Sequence, residues 1–130
     1  MPADLVVIGI GVVPNGHVWT VDPGNNRLTE FDENGQYVRM IQTPYSWDPG
    51  MLDAPTDVAV DANGNLWIVD WGSRHMLQMS PAGVELGRWL HENVMWCRIV
   101  MDANGDLYVA HPEAGAVQRY SPSGALLFEY

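Results

Sequence analysis

The chain has 130 residues, 47% of them hydrophobic, which is enough for one domain with its own core. Sixteen Asp and Glu against six Lys and Arg give a net charge of −10, so neither a nucleic acid nor an anionic membrane is an expected partner. A single cysteine, Cys97, excludes an intrachain disulfide, and no apolar run reaches transmembrane length.

In chain order, Leu5-Val6-Val7-Ile8 opens the first candidate strand and Asn15-Gly16 the first turn. Val18 to Val21 is β-branched and aromatic and reads as a second strand. A turn at Asp22 leads to Arg27-Leu28-Thr29-Glu30-Phe31, and Asn34-Gly35 leads to a fourth strand ending near Ile41. A long connection, Gln42 to Ala54, follows. The order then repeats. Thr56 to Asp61, Leu66 to Asp70, His75 to Met79 and Val84 to Leu90 are strands, separated by turns at Asn63-Gly64, Trp71 to Arg74 and Ala82-Gly83. It repeats again from Trp96 to Tyr130, with turns at Asn104-Gly105 and Ser123-Gly124.

Three gapless passes of a unit of about forty residues, each of four short strands, indicate a β-propeller array. The predicted fold is all-β, one domain over residues 1–130, with four-stranded antiparallel blades at about 5–42, 55–90 and 96–130. Leu66 and Ile68 face one way and Trp67 and Val69 the other, so both sides of that strand require cover, as neighbouring blades provide. Trp19, Trp67 and Tyr108 share one slot and are expected to pack blade against blade.

The frame resembles the NHL repeat. The features that carry the likeness are Pro55-x-Asp57-Val58-Ala59-Val60-Asp61, then Asn63-Gly64-Asn65-Leu66-Trp67-Ile68-Val69-Asp70, and Asn26-Arg27-Leu28-Thr29-Glu30-Phe31 in the first unit. The resemblance implies a propeller and, because propellers host many activities, leaves function open. Segment 55–60 is also similar to a blade of the peptidyl-hydroxyglycine amidating lyases, whose zinc-binding histidines open inner strands. The matching pairs here, Val7-Ile8, Pro55-Thr56 and Trp96-Cys97, hold no histidine. Gluconolactonase-like propellers carry a Glu at the start of their first blade, which this first strand lacks. Streptogramin-lyase-like propellers use a catalytic His, and His111, at the end of a second strand, is the residue that resembles it.

Propeller ligands sit where the fourth-to-first and second-to-third connections meet. Tyr45, Trp47, Asp57, Trp71, Arg74, Trp96, Arg98 and His111 are the candidate binding residues there, an aromatic wall with a few polar groups for a small molecule or peptide. The expected function is a binding or scaffold module rather than an enzyme. The alternative is a metal-dependent hydrolase or lyase, lactonase-like or amidating-lyase-like, holding a divalent cation such as calcium on Asp22, Asp57 and His111. Asp61-Ala-Asn63-Gly-Asn65 and Asp102-Ala-Asn104-Gly-Asp106 imitate a calcium loop but lack its distant Glu, so they read as hairpin turns. Cys97 reads as a buried, inert thiol.

Three blades do not close a ring, and Val18, Val21, Leu107, Val109 and Val117 leave the end units without the polar caps an open array needs. The expected partner is therefore a second copy, making six blades as a homodimer and burying on the order of 2,000 Å². A natural half-propeller and a designed or trimmed module both satisfy this. The sequence start, Met-Pro-Ala-Asp, has no basic n-region, which leaves the cytoplasm as the default location.

Overall fold

The computed structural model describes residues 7–90, 97–111 and 115–130. They form three four-stranded antiparallel sheets, each a meander in sequence order. Blade one holds β1 (Gly9–Val12), β2 (Val18–Asp22), β3 (Arg27–Phe31) and β4 (Tyr37–Gln42). Blade two holds β5 (Pro55–Val60), β6 (Leu66–Asp70), β7 (His75–Met79) and β8 (Glu85–Leu90). Blade three holds β9 (Arg98–Met101), β10 (Leu107–His111), β11 (Ala116–Tyr120) and β12 (Leu126–Glu129). Among the described residues the helical content is one 3-10 turn, Pro23–Asn25.

The inner strand of blade one lies further along than the sequence suggests. It is Gly9–Val12. Val7 and Ile8 precede it, while Leu5 and Val6 fall outside the described residues. The Asn15-Gly16 hairpin sets this register, since the ladder runs from Val12↔Val18 to Gly9↔Val21. Each first turn uses its glycine at positive φ, +81° at Gly64, where any Cβ is strained.

The core consists of two blade junctions. Trp19, Val21 and Leu28 of blade one pack on Val58, Leu66, Ile68 and Leu77 of blade two. Ala59, Trp67 and Val69 of blade two pack on Ile99, Leu107 and Val109 of blade three. Strand alternation thus gives β6 two buried faces, as its apolar run requires. Inner strands approach closely. A Cβ on Gly9 would lie 2.9 Å from both Thr56 O and Asp57 Oδ1, so only glycine fits there.

The shared aromatic slot has one direction. Trp19 faces blade two and Trp67 faces blade three, both buried. Tyr108, in the same slot, faces away from blade two, beside Tyr130 at 6.5 Å between ring centroids. On that side Val100, Val117, Phe128 and Tyr130 are exposed. The far side of blade one mixes exposed apolar residues, Ile10 and Val12, with buried polar ones. Val21 points inward to blade two, and alternation gives the far side Thr20, Asp22, Arg27 and Thr29, all buried.

Candidate functional site

The upper end of the three blades carries the β2–β3, β6–β7 and β10–β11 connections and the long segment 43–54. Two buried polar side chains fasten that segment. Asn26, left-handed at φ 53°, donates from Nδ2 to Thr43 O at 2.8 Å and Leu52 O at 2.9 Å, and accepts from Ala54 N at 2.8 Å. Asp70 Oδ1 accepts from Asp53 N at 2.8 Å, and its Oδ2 accepts from Ser73 Oγ at 2.5 Å. Burial pushes the Asp70 carboxyl up to about 6, against these hydrogen bonds. Neither residue stands out in the sequence as a loop clamp. Asn26 carries the one legible signal, since Asn tolerates the left-handed region after a turn.

The aromatic residues of the upper face do not form one wall. Tyr45 lies over blade one, its hydroxyl donating to Pro23 O and Gly24 O at 3.0 Å. Trp47 lies over blade two. Its Nε1 donates to Asp53 Oδ2 at 2.6 Å, and its carbonyl accepts from Arg88 Nη1 at 2.6 Å. Trp71 and Arg74 are exposed on the β6–β7 turn, where Arg74 takes a positive φ of 59°. Trp96 lies outside the described residues.

Asp57 and Arg98 lie instead on the inner strands. Asp57 Oδ2 accepts from Ile99 N of blade three at 2.8 Å, and its Oδ1 accepts from Val58 N at 2.9 Å. Its carboxylate ties two inner strands together, and burial raises its pKa although both backbone bonds and Arg98 oppose that. Arg98 is exposed and reaches across the mouth to donate from Nη1 to Ile8 O at 3.0 Å. Ile8, Thr56, Cys97 and Arg98 line a hollow of about 230 Å³ at that mouth. Thr56 Oγ1 is buried there with no hydrogen-bond partner among the described residues. Further down the same three strands, a second hollow of about 230 Å³ has walls that include Ile10, Val12, Val60, Val100 and Met101.

His111 is buried at the end of β10, opposite Cys97. Its Nδ1 is 3.2 Å from Cys97 Sγ and its Nε2 is 2.9 Å from Gln118 Oε1. Cys97 is buried as expected, but the histidine beside it was missed. The signal was available. The β9–β10 pairing Arg98↔Ala110, extended by one residue, sets position 97 against 111. Burial pushes the Cys97 thiol up to about 11.

The three metal candidates are not brought together. Asp22 pairs with Arg27 at 3.3 Å and accepts from Asn25 Nδ2 at 2.8 Å, Asp57 is the inner-strand tie, and His111 sits against Cys97. Among the described residues, no three His, Cys, Asp or Glu side chains form a metal-holding group. The Asp61 and Asp102 segments are turns closed on themselves. Asp61 Oδ1 accepts from Asn63 N and Asn65 N, and Asp102 Oδ1 from Asn104 N and Asp106 N. Their other oxygens accept from Trp67 Nε1 and Tyr108 Oη, each at 3.2 Å.

No protein-family model and no curated protein matches the chain. Its fold is similar to that of solved β-propellers. One is catalytically inactive virginiamycin B lyase from Staphylococcus aureus with quinupristin, at TM-score 0.71 and 17% identity, covering 99% of this chain and 42% of that one. Another is U3-55K, at TM-score 0.72 and 13% identity, covering 100% and 40%. A third is a chain of a nidogen/laminin complex, at TM-score 0.72 and 18% identity, covering 100% and 49%. The chain thus spans less than half of each of these propellers. The similarity is one of fold, and the NHL repeat type is not among what it demonstrates.

Proposed function

We propose that the chain is an NHL-like propeller module that binds a small molecule, with an anionic head and an apolar body, along its inner strands. The observation that carries this is the mouth hollow, where Arg98 is the one charged group in a mostly apolar lining. The mouth also presents the buried hydroxyl of Thr56, and the lower hollow is walled by aliphatic side chains and backbone. In a chain of net charge −10, an exposed arginine at such a mouth is a specific attractor for a carboxylate. Tyr45, Trp47, Trp71 and Arg74 then belong to the surrounding upper face. The metal-dependent hydrolase or lyase gains no residue set from Asp22, Asp57 and His111. Calorimetric titration with hexanoate, hexanol and hexylamine tests the reading. Hexanoate is expected to bind in preference to the other two, and Arg98→Gln to weaken it about tenfold or more. Hexylamine binding as well as hexanoate overturns it.

We further propose that two copies close one six-bladed ring. Support comes from Tyr108, which repeats the forward-facing slot of Trp19 and Trp67 yet meets no further blade among the described residues, and from the exposed Val100, Phe128 and Tyr130 around it. Light scattering is expected to give twice the 14.5 kDa of one chain. A monomer mass at micromolar concentration removes the proposal.

A further inference from the structure

We propose that Cys97 is a nucleophile with His111 Nδ1 as its base, and that the pair captures a small, carboxylate-bearing electrophile covalently at the channel mouth. The inference rests on the reading of Arg98 above and adds a chemical step to it.

The hydrogen-bond network decides which histidine nitrogen is the base. Gln118 Nε2 donates to Glu129 Oε2 at 3.0 Å, since an amide nitrogen donates and does not accept. The Gln118 oxygen therefore faces the other way, where Tyr120 Oη donates to it at 2.7 Å. His111 Nε2, 2.9 Å from that same oxygen, must carry the ring proton. Nδ1 is left as an acceptor, 3.2 Å from Cys97 Sγ. A thiol, an imidazole acceptor and a side chain that fixes the imidazole form the arrangement that activates a nucleophile. Gln118 is the positioning residue.

The surroundings indicate a ligand. Cys97 lines the mouth hollow together with Arg98, whose charge suits a carboxylate. Thr56 Oγ1, on the same hollow, is buried and lacks a hydrogen-bond partner among the described residues. Burial keeps the resting thiol neutral, its pKa pushed up to about 11, so attack depends on a neighbouring base rather than on a preformed thiolate. In the step, Sγ bonds to the electrophilic carbon and the thiol proton passes to Nδ1. The leaving group departs with the electron pair of its broken bond.

The chain has one cysteine, so alkylation followed by mass spectrometry at pH 7 reads this site alone. The probes are iodoacetate and its neutral counterpart iodoacetamide, with iodide as the leaving group. Folded protein is expected to react with both and to favour iodoacetate. His111→Gln is expected to slow both reagents at least tenfold. Gln118→Leu keeps the histidine but removes the acceptor that orients it. It is expected to slow labelling with an unchanged circular dichroism spectrum, which covers the case in which His111→Gln does not fold. Labelling only after unfolding, or at the parent rate in both variants, overturns the nucleophile while leaving reversible carboxylate binding at Arg98 intact. Histidine-dependent labelling with no preference for iodoacetate overturns the carboxylate class, and the Arg98 reading with it.

Discussion

Replacing Asp57 by alanine is expected to lower the stability of the fold by about 3 kcal/mol, or roughly 10 °C in melting temperature. Two backbone donors depend on this one carboxylate, Val58 N on its own strand and Ile99 N on the next blade. The residue is 5% exposed, so water does not readily replace the lost oxygens. Alanine leaves Ile99 N–H without its side-chain acceptor at the blade two to blade three junction. Asparagine retains one acceptor but turns an amide donor toward the other N–H, so Asp57→Asn is expected to fall between parent and alanine variant. Thermal unfolding of the three proteins at pH 7 checks the order. An alanine variant melting within about 2 °C of the parent shows that the junction does not depend on this tie.

Asp70 is expected to make the protein less stable as pH rises. Burial raises its pKa in the folded state from 3.8 to about 6. Between those values the folded state holds a proton that the unfolded chain has released, so stability falls with pH across that window and is level above it. The full effect is on the order of 3 kcal/mol, from about two pH units at 1.36 kcal/mol each. Asp70→Asn keeps an acceptor for Asp53 N and cannot ionise. Its stability relative to the parent is expected to rise by about 1 kcal/mol between pH 5 and pH 7.5, the part of the window above the sequence pI of about 4.4. Urea unfolding of both proteins at the two pH values is the measurement. Parallel pH dependences remove the ionisation of Asp70 from the account. A fall in stability with pH shared by both proteins reflects the net charge of −10 instead.

The blades were legible in the sequence because their causes are local. The Asn-Gly turns demand a positive φ at Gly16, Gly64 and Gly105, and alternation within Leu66 to Asp70 demands two buried faces. A local rule repeated three times is hard to misread. Val7 and Ile8 read as strand because they are as apolar as one requires, yet β1 begins at Gly9. Register is set by pairing from the turn, and hydrophobicity along the chain does not report it.

The site depended on contacts that composition does not encode. Tyr45 and Trp47 share a loop, yet one lies over blade one and the other over blade two, because Asn26 and Asp70 pull that loop in two directions. Asp57 looked like a ligand because an acidic residue on an inner strand resembles one. Only the approach of blade three within 2.8 Å shows its carboxylate holding Ile99 N. Cys97 and His111 looked unrelated, and cross-strand register sets them side by side. The sequence by itself thus determined turns, strand faces and blade number, which depend on neighbours a few residues away. Which side chains meet at the channel was decided by the tertiary structure alone, because hydrogen bonds and close contacts act over about 3 Å in space, whatever the distance along the chain.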